Sequence, residues 1–264
     1  MKSLAALTAI VLALDLSCAP AARAEGPQIL VSAAASLTDV LSALSPQAEL
    51  FIGAKLLLNF GGSGVLRRQI EEGAPVDVFF SASSEDMDQL QREGLILAET
   101  RKDLLSNSIV LIGGPASVAV RPAGTAADIH ALRVLLERAD LLAIGNPDTV
   151  PVGRYAVRAL TTYGLYPVVQ SKLALGGSVR EVLQYVQNGS APLGIVFATD
   201  VPAAAPGSVR QLFVFTDQSV GVPMLYPAAV VSASRSRNKA LKMIEFLQGT
   251  SARKAFQRAG FTLR

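Results

Sequence analysis

Four stretches of the chain share one arrangement: a short apolar run ends, a turn of small residues follows, and a helical pattern begins. They are Ala33-Ala34-Ala35-Ser36-Leu37-Thr38, Asn59-Phe60-Gly61-Gly62-Ser63-Gly64-Val65, Gly145-Asn146-Pro147-Asp148-Thr149-Val150-Pro151-Val152-Gly153 and Gly176-Gly177-Ser178-Val179-Arg180. Each leaves the first N–H groups of a helix without intrahelical acceptors, with the positive end of the helix dipole behind them. Such a terminus attracts anions, and small residues let an oxyanion approach the backbone closely. Taken singly, Ser36, Ser63 and Ser178 read as helix N-caps, and Pro151 as a proline suited to a first helical turn for local reasons alone. The fourfold recurrence opens the second reading, an anion site shared by several termini, which requires the four turns to meet in space.

Other chemistry is poorly served. The single histidine, His130, lies in a helical stretch, and no G-x-S-x-G elbow, P-loop or G-x-G-x-x-G occurs. Ser251-Ala252-Arg253-Lys254 matches S-x-x-K, but neither S-D-N nor K-T-G accompanies it, so it reads as the capped start of the last helix. Glu85, Asp86 and Asp88 lack the alternation of a calcium loop and suit the first turn of a helix. Asn188-Gly189 reads as a turn after a helix. One histidine and one cysteine, Cys18, leave no transition-metal site and no disulfide. The residues thus offer no catalytic constellation and no cofactor motif, so neither enzymatic chemistry nor a bound cofactor is expected.

The elements that must carry these turns alternate. Strands are expected over 28–33, 55–59, 76–81, 108–113, 141–145, 194–197, 211–215 and 224–232, and helices over 37–45, 65–72, 85–93, 126–138, 151–163, 179–188, 238–247 and 251–259. This βαβ alternation argues for α/β architecture with mostly parallel sheets, whose ligands collect at the carboxyl ends of strands. Of 264 residues, 50% are hydrophobic and 17% charged, which describes a globular protein with one large or two modest domains. The formal net charge is only +3, with no basic run longer than Arg67-Arg68, so no nucleic-acid partner is expected.

The amino-terminal residues are expected to stand outside this fold. Lys2, the apolar run 4–14 and Ala22-Arg23-Ala24 make a secretory signal peptide over 1–24, cleaved after Ala24, too short to span a membrane. Asp15 sits three residues before Cys18, where a lipid-attachment signal wants an aliphatic residue, so a soluble periplasmic protein is expected.

Read with their surroundings, the turns resemble the periplasmic molybdate-binding protein family of ABC importers. The resemblance is carried by AAASLTDVL (33–41), FGGSGVLRRQIEEGAPVDVFFSAS (60–83), IGNPDTVPVGRYA (144–156), APLGIVF (191–197) and RAGFTLR (258–264). It implies a type 2 periplasmic binding fold: two lobes, each a mostly parallel sheet flanked by helices, joined by two crossing hinge strands and closing on the ligand. Residues 25–108 and 223–264 would form lobe 1 and residues 109–222 lobe 2. The segment 108–113 would carry the chain into the second lobe and 224–232 would bring it back.

The family holds a tetrahedral dianion with neutral donors. Carried over position by position, Ser36 and Ser63 would give hydroxyl and backbone N–H from lobe 1, and Val152 and Val179 backbone N–H from lobe 2. The family often places a tyrosine hydroxyl on the anion at the position that is Phe197 here, so Phe197 would serve as pocket wall only. Losing that bond would cost about 10- to 100-fold in affinity unless another donor replaces it. The implied function is capture of molybdate and tungstate by a monomer that delivers them to an inner-membrane ABC permease. Sulfate or phosphate is the same-class rival, phosphate the weaker one, because a protonated phosphate rewards an acceptor and the turns offer only Asp148. A secreted hydrolase lacks its nucleophile and base, and a regulatory domain of this fold would lack the signal peptide.

Overall fold

The computed structural model describes residues 26–117 and 126–264. The expected signal peptide with Cys18, and its cleavage point, lie outside the described residues. The chain forms eleven strands and ten α-helices among the described residues, in two sheets.

The first sheet begins as the βα pattern requires. The run QILVSAA forms β1 (Gln28–Ala34), and α1 (Thr38–Ile52) follows through a 3-10 turn at Ala35–Leu37. Then come β2 (Lys55–Gly61), α2 (Ser63–Glu71), β3 (Val78–Phe80), α3 (Ser84–Arg92) and β4 (Lys102–Ser106). The second sheet holds β5 (Ile109–Gly113), β6 (Leu142–Gly145), β7 (Leu173–Gly176), β8 (Leu193–Phe197) and β9 (Arg210–Val214). Between them lie α4 (Ala126–Arg138), α5 (Pro151–Thr162), α6 (Tyr166–Val169) and α7 (Val179–Gln187). After the short α8 (Asp217–Val220), β10 (Leu225–Val230) rejoins the first sheet, followed by α9 (Arg237–Gln248), α10 (Thr250–Arg258) and β11 (Thr262–Leu263). The strand orders are β11-β4-β10-β3-β1-β2 and β7-β6-β8-β5-β9.

The sheets are mixed, where the βαβ alternation suggests mostly parallel ones. β1 lies parallel to β2 and β3, and β6 parallel to β7 and β8, each joined through helices. β10 runs antiparallel to β3 and β4, and β5 antiparallel to β8 and β9. The reason is the crossing. Only Asn107 and Ser108 separate β4 from β5, and Ile109 pairs with Phe197 at the carboxyl end of β8. The chain thus enters the second sheet at the end where β6, β7 and β8 finish, and must run the other way. β10 enters the first sheet in the same sense, pairing Leu225 with Ser106 and Ala228 with Phe80.

Three strands escaped the sequence reading: β4, β7 and β11. β11 has two residues, and β7 (LALG) lies at a sheet edge with little alternation, so neither presents a run long enough to register.

α1 packs with α9 and α10 beside the first sheet, while α2 and α3 pack together. Leu66, Ile70, Phe79, Met87, Leu90 and Val231 form a smaller core beneath that second pair. α5 and α7 cover the strands of the second sheet. No described helix is long and apolar enough to cross a membrane.

Candidate functional site

Every turn singled out in the sequence follows the carboxyl end of a strand: β1 stops at Ala34, β2 at Gly61, β6 at Gly145 and β7 at Gly176. These ends face one another across the junction of the two sheets. A small pocket, partly open to solvent, lies there with walls from both sheets. Ala34, Ala35, Ser36, Gly61, Gly62, Ser63 and Ala82 come from the first, and Val150, Pro151, Val179 and Phe197 from the second. No charged side chain is among them.

The two serines of the first sheet are not caps. Ser36 sits inside the 3-10 turn, whose N-cap position is Ala34, and Ser63 is the first residue of α2, after Gly62. Neither helix start has a side-chain cap bond. Ser63 Oγ instead accepts the N–H of Ala82 at 3.0 Å, which occupies a lone pair and leaves its proton free for the cavity it lines. Ser36 Oγ lies 3.0 Å from the Tyr226 hydroxyl. Ser178 does cap: its hydroxyl accepts from the Glu181 N–H at 3.2 Å, so the local reading holds for that serine.

On the second sheet, Val150 and Pro151 open α5 and Val179 opens α7, all on the cavity wall. Val152 is fully buried as the second residue of α5 and is not among the residues that wall the cavity, although its neighbour Pro151 is. Its N–H is among the first-turn donors that have no intrahelical acceptor. Phe197 ends β8, 2% exposed, packed edge-on against Tyr226 at 5.6 Å and Tyr155 at 6.3 Å between ring centroids. Asp148 is exposed and absent from the wall.

The two halves of the cavity are pressed together by contacts that the sequence did not suggest. The Gly64 N–H donates to the Thr149 carbonyl at 2.9 Å, joining the α2 start to the turn before α5. The Tyr155 hydroxyl donates to the Ala82 carbonyl at 3.3 Å. Beside the cavity, Arg180 on α7 binds Asp39 on α1 and Asp200 beyond β8, each at 2.8 Å. Elsewhere, Arg154 and Arg158 on α5 reach Glu85 on α3, and Arg154 also reaches Asp86. The acidic group Glu85, Asp86 and Asp88 thus begins a helix, as its composition suggested, and serves as ion-pair partner. Burial raises the Asp200 carboxyl to about 7, with the Arg180 guanidinium holding it lower than burial alone would.

The remaining motifs do not gather here. His130 is exposed on α4, and Ser251, one residue inside α10, donates to Gln47 without capping the helix. Among the described residues no group of three or more His, Cys, Asp or Glu could hold a metal ion. Ala82, Tyr155, Tyr226 and Asn107 were missed by the sequence reading. Ala82 had a usable signal, because it lies two residues past the end of β3, where ligands of open sheets collect; the others had none.

Comparison with known proteins agrees with this geometry. Residues 29–262 match the family model described as bacterial extracellular solute-binding protein. The molybdate-binding protein ModA of Escherichia coli (strain K12) is 36% identical over 253 residues, covering 96% of this chain and 95% of the relative. Among solved structures, the substrate binding domain of a putative molybdenum ABC transporter from Clostridium difficile superposes with a TM-score of 0.64 at 33% identity, over 89% of this chain and 98% of that one. The Azotobacter vinelandii periplasmic molybdate-binding protein gives 0.75 at 23% identity, over 89% and 99%, which is a likeness of fold. With the family model spanning nearly the whole described chain, the protein belongs to the bacterial extracellular solute-binding protein family.

Proposed function

We propose that this chain is a periplasmic receptor that closes two lobes on molybdate, accepts tungstate as well, and hands the anion to an ABC permease. Residues 25–108 and 223–264 make one lobe and residues 109–222 the other, the working form is a monomer, and no cofactor is needed. One observation carries the reading: a small cavity without a charged side chain, at the carboxyl ends of strands from two sheets, walled by two serines and the first turns of α2, α5 and α7. In this reading Ser36 and Ser63 donate hydroxyl and backbone N–H, and Val152 and Val179 donate backbone N–H. Phe197 contributes wall and no bond.

The physical case rests on preorganisation. A buried dianion loses several kcal/mol or more of hydration, which only fixed donors can offset. Each charge-assisted hydrogen bond returns roughly 1.5 to 3 kcal/mol, and helix termini add their dipoles. Neutral donors suit a fully deprotonated tetrahedral ion. A protonated phosphate asks for an acceptor, and Asp148, the one carboxylate in the turns, is exposed away from the cavity. Sulfate shares charge and shape but has shorter bonds, so its oxygens fall short of donors set for a larger ion. The names of the relatives, which bind or transport molybdate or molybdenum, favour the larger ion.

Thermal melting against molybdate, tungstate, sulfate, phosphate and chromate tests this. A ligand bound only by the folded state at 100 times its dissociation constant adds about 2.7 kcal/mol, or roughly 5 to 10 °C for a chain of this size. Molybdate and tungstate should each give such a shift, while sulfate and phosphate leave the transition in place. Equal shifts with phosphate, or none with molybdate, would overturn the reading.

A further inference from the structure

We propose that Tyr226 is a positioning residue, whose hydroxyl fixes Ser36 as a donor toward the bound oxyanion and so makes up for the hydroxyl that Phe197 lacks. The proposal rests on the oxyanion reading of the cavity given above.

Tyr226 is fully buried on β10, one strand away from the cavity wall, and its oxygen has two partners: Ser36 Oγ at 3.0 Å and Asn107 Nδ2 at 3.1 Å. The direction of these bonds follows from Asn107. Its Oδ1 accepts the Ser108 N–H at 2.9 Å, so the amide cannot be turned over, and the nitrogen must face Tyr226 and Thr199. An amide nitrogen only donates. Asn107 therefore donates to the Tyr226 oxygen, and the one phenolic proton remains for Ser36 Oγ.

With that lone pair filled, the Ser36 proton has the cavity to point into. The order Asn107, Tyr226, Ser36 is thus a chain of donors running toward the anion, and successive bonds polarise one another in the same sense. Burial pushes the Tyr226 hydroxyl well above its ordinary pKa, so the phenolic proton stays in place at physiological pH. Ser63 is held in the same state by the Ala82 N–H. Both serines are then set as donors before the ligand arrives. The chain starts at the crossing between the sheets, since Asn107 lies between β4 and β5 and also donates to Thr199 Oγ1 at 2.8 Å, two residues after Phe197.

A double-mutant cycle read by molybdate titration tests the proposal. Tyr226→Phe removes the hydroxyl and keeps the ring. It should weaken binding about tenfold in the native chain, because the Ser36 hydroxyl then loses the bond that fixes its orientation and its proton is no longer held toward the cavity. On a Ser36→Ala background the same change should have no further effect. Equal losses in both backgrounds would mean that Tyr226 acts through packing, and native-like binding by Tyr226→Phe would mean that it does not act on the site; either overturns the proposal. Native-like binding by Ser36→Ala alone would overturn the oxyanion reading with it. Should Tyr226→Phe fail to fold, Asn107→Ala serves instead. It lets the phenol accept from Ser36, so it should weaken binding severalfold in the native chain and leave Ser36→Ala unchanged, and an equal loss in both overturns the proposal.

Discussion

Replacing Gly64 by alanine puts the contact between the two sheets under direct test. A Cβ at this position would sit 2.7 Å from the Thr149 carbonyl oxygen and 3.0 Å from the Thr149 Cα, both backbone atoms. Ordinary contact begins near 3.5 Å, so the start of α2 and the turn before α5 must separate by about 0.5 to 1 Å. Overpacking of this kind costs about 1 to 3 kcal/mol. The same movement stretches the 2.9 Å bond from the Gly64 N–H to Thr149, forfeiting about another 1 kcal/mol. The total, about 2 to 4 kcal/mol, falls only on the form in which the two turns touch. It lowers the population able to hold the anion and so weakens binding roughly 30- to 1,000-fold. Calorimetric titration with molybdate measures the loss, and thermal melting without ligand should change little. Gly114→Ala is the control, since a Cβ there meets nothing within 4 Å. A folded Gly64→Ala protein that bound molybdate as the native protein does would refute the reasoning, because the site would not then depend on this contact.

The serines should separate by role. Ser36→Ala and Ser63→Ala are expected to weaken molybdate binding by about 1.5 to 3 kcal/mol each, whereas Ser178→Ala removes a cap and should cost about 1 kcal/mol of stability, or a few degrees of melting temperature, with a smaller effect on affinity; titration and melting of the three variants check this. Phe197→Tyr should tighten molybdate and tungstate binding by up to about 3 kcal/mol if the added hydroxyl reaches the anion. Titration in which both ligands were lost would mean that the ring, packed between Tyr155 and Tyr226, has no room for it. The Asp200 carboxyl protonates near pH 7 when folded and near 3.8 in its ordinary state, with Arg180 and Asp39 as the charges facing it. The folded state therefore binds the proton more tightly, and the resulting stability is complete below about pH 4 and lost as pH rises through 7. Asp200→Asn should remove this dependence, so melting curves between pH 4 and 8 should show the variant flatter than the native protein, and parallel curves would contradict it.

The eight strands and eight helices read from periodicity are all present, and all but the first helix keep their bounds within a few residues, because long apolar runs bounded by Gly, Pro and Ser leave little ambiguity; α1 continues through Pro46 to Ile52, seven residues beyond its expected end. The direction of pairing was not legible. Nothing local to the sequence around Asn107 and Ser108 says that the chain crosses between sheets there, and that crossing is what turns β5 and β10 antiparallel. At the site, the four turns could be found because each carries its own small residues, and Ser36 and Ser63 were among the candidates. Their local chemistry was misread in one respect: a serine before a helix looks like a cap, and only the tertiary partners Tyr226 and the Ala82 N–H reveal otherwise. Tyr226 itself lies 190 residues from Ser36. No spacing rule spans that distance, and a tyrosine in a predicted strand reads as core.

The central claim is that an uncharged cavity holds the whole anion with serine hydroxyls and helix termini. Anomalous diffraction at the molybdenum edge from crystals grown with molybdate tests it most directly. The account predicts one strong peak between the two sheets, with oxygens within hydrogen-bond distance of Ser36 Oγ, Ser63 Oγ and the N–H groups of Val152 and Val179, and no lysine or arginine in contact. A peak held by arginine side chains at the surface, or a cavity that stays empty while the crystals contain molybdate, would contradict it.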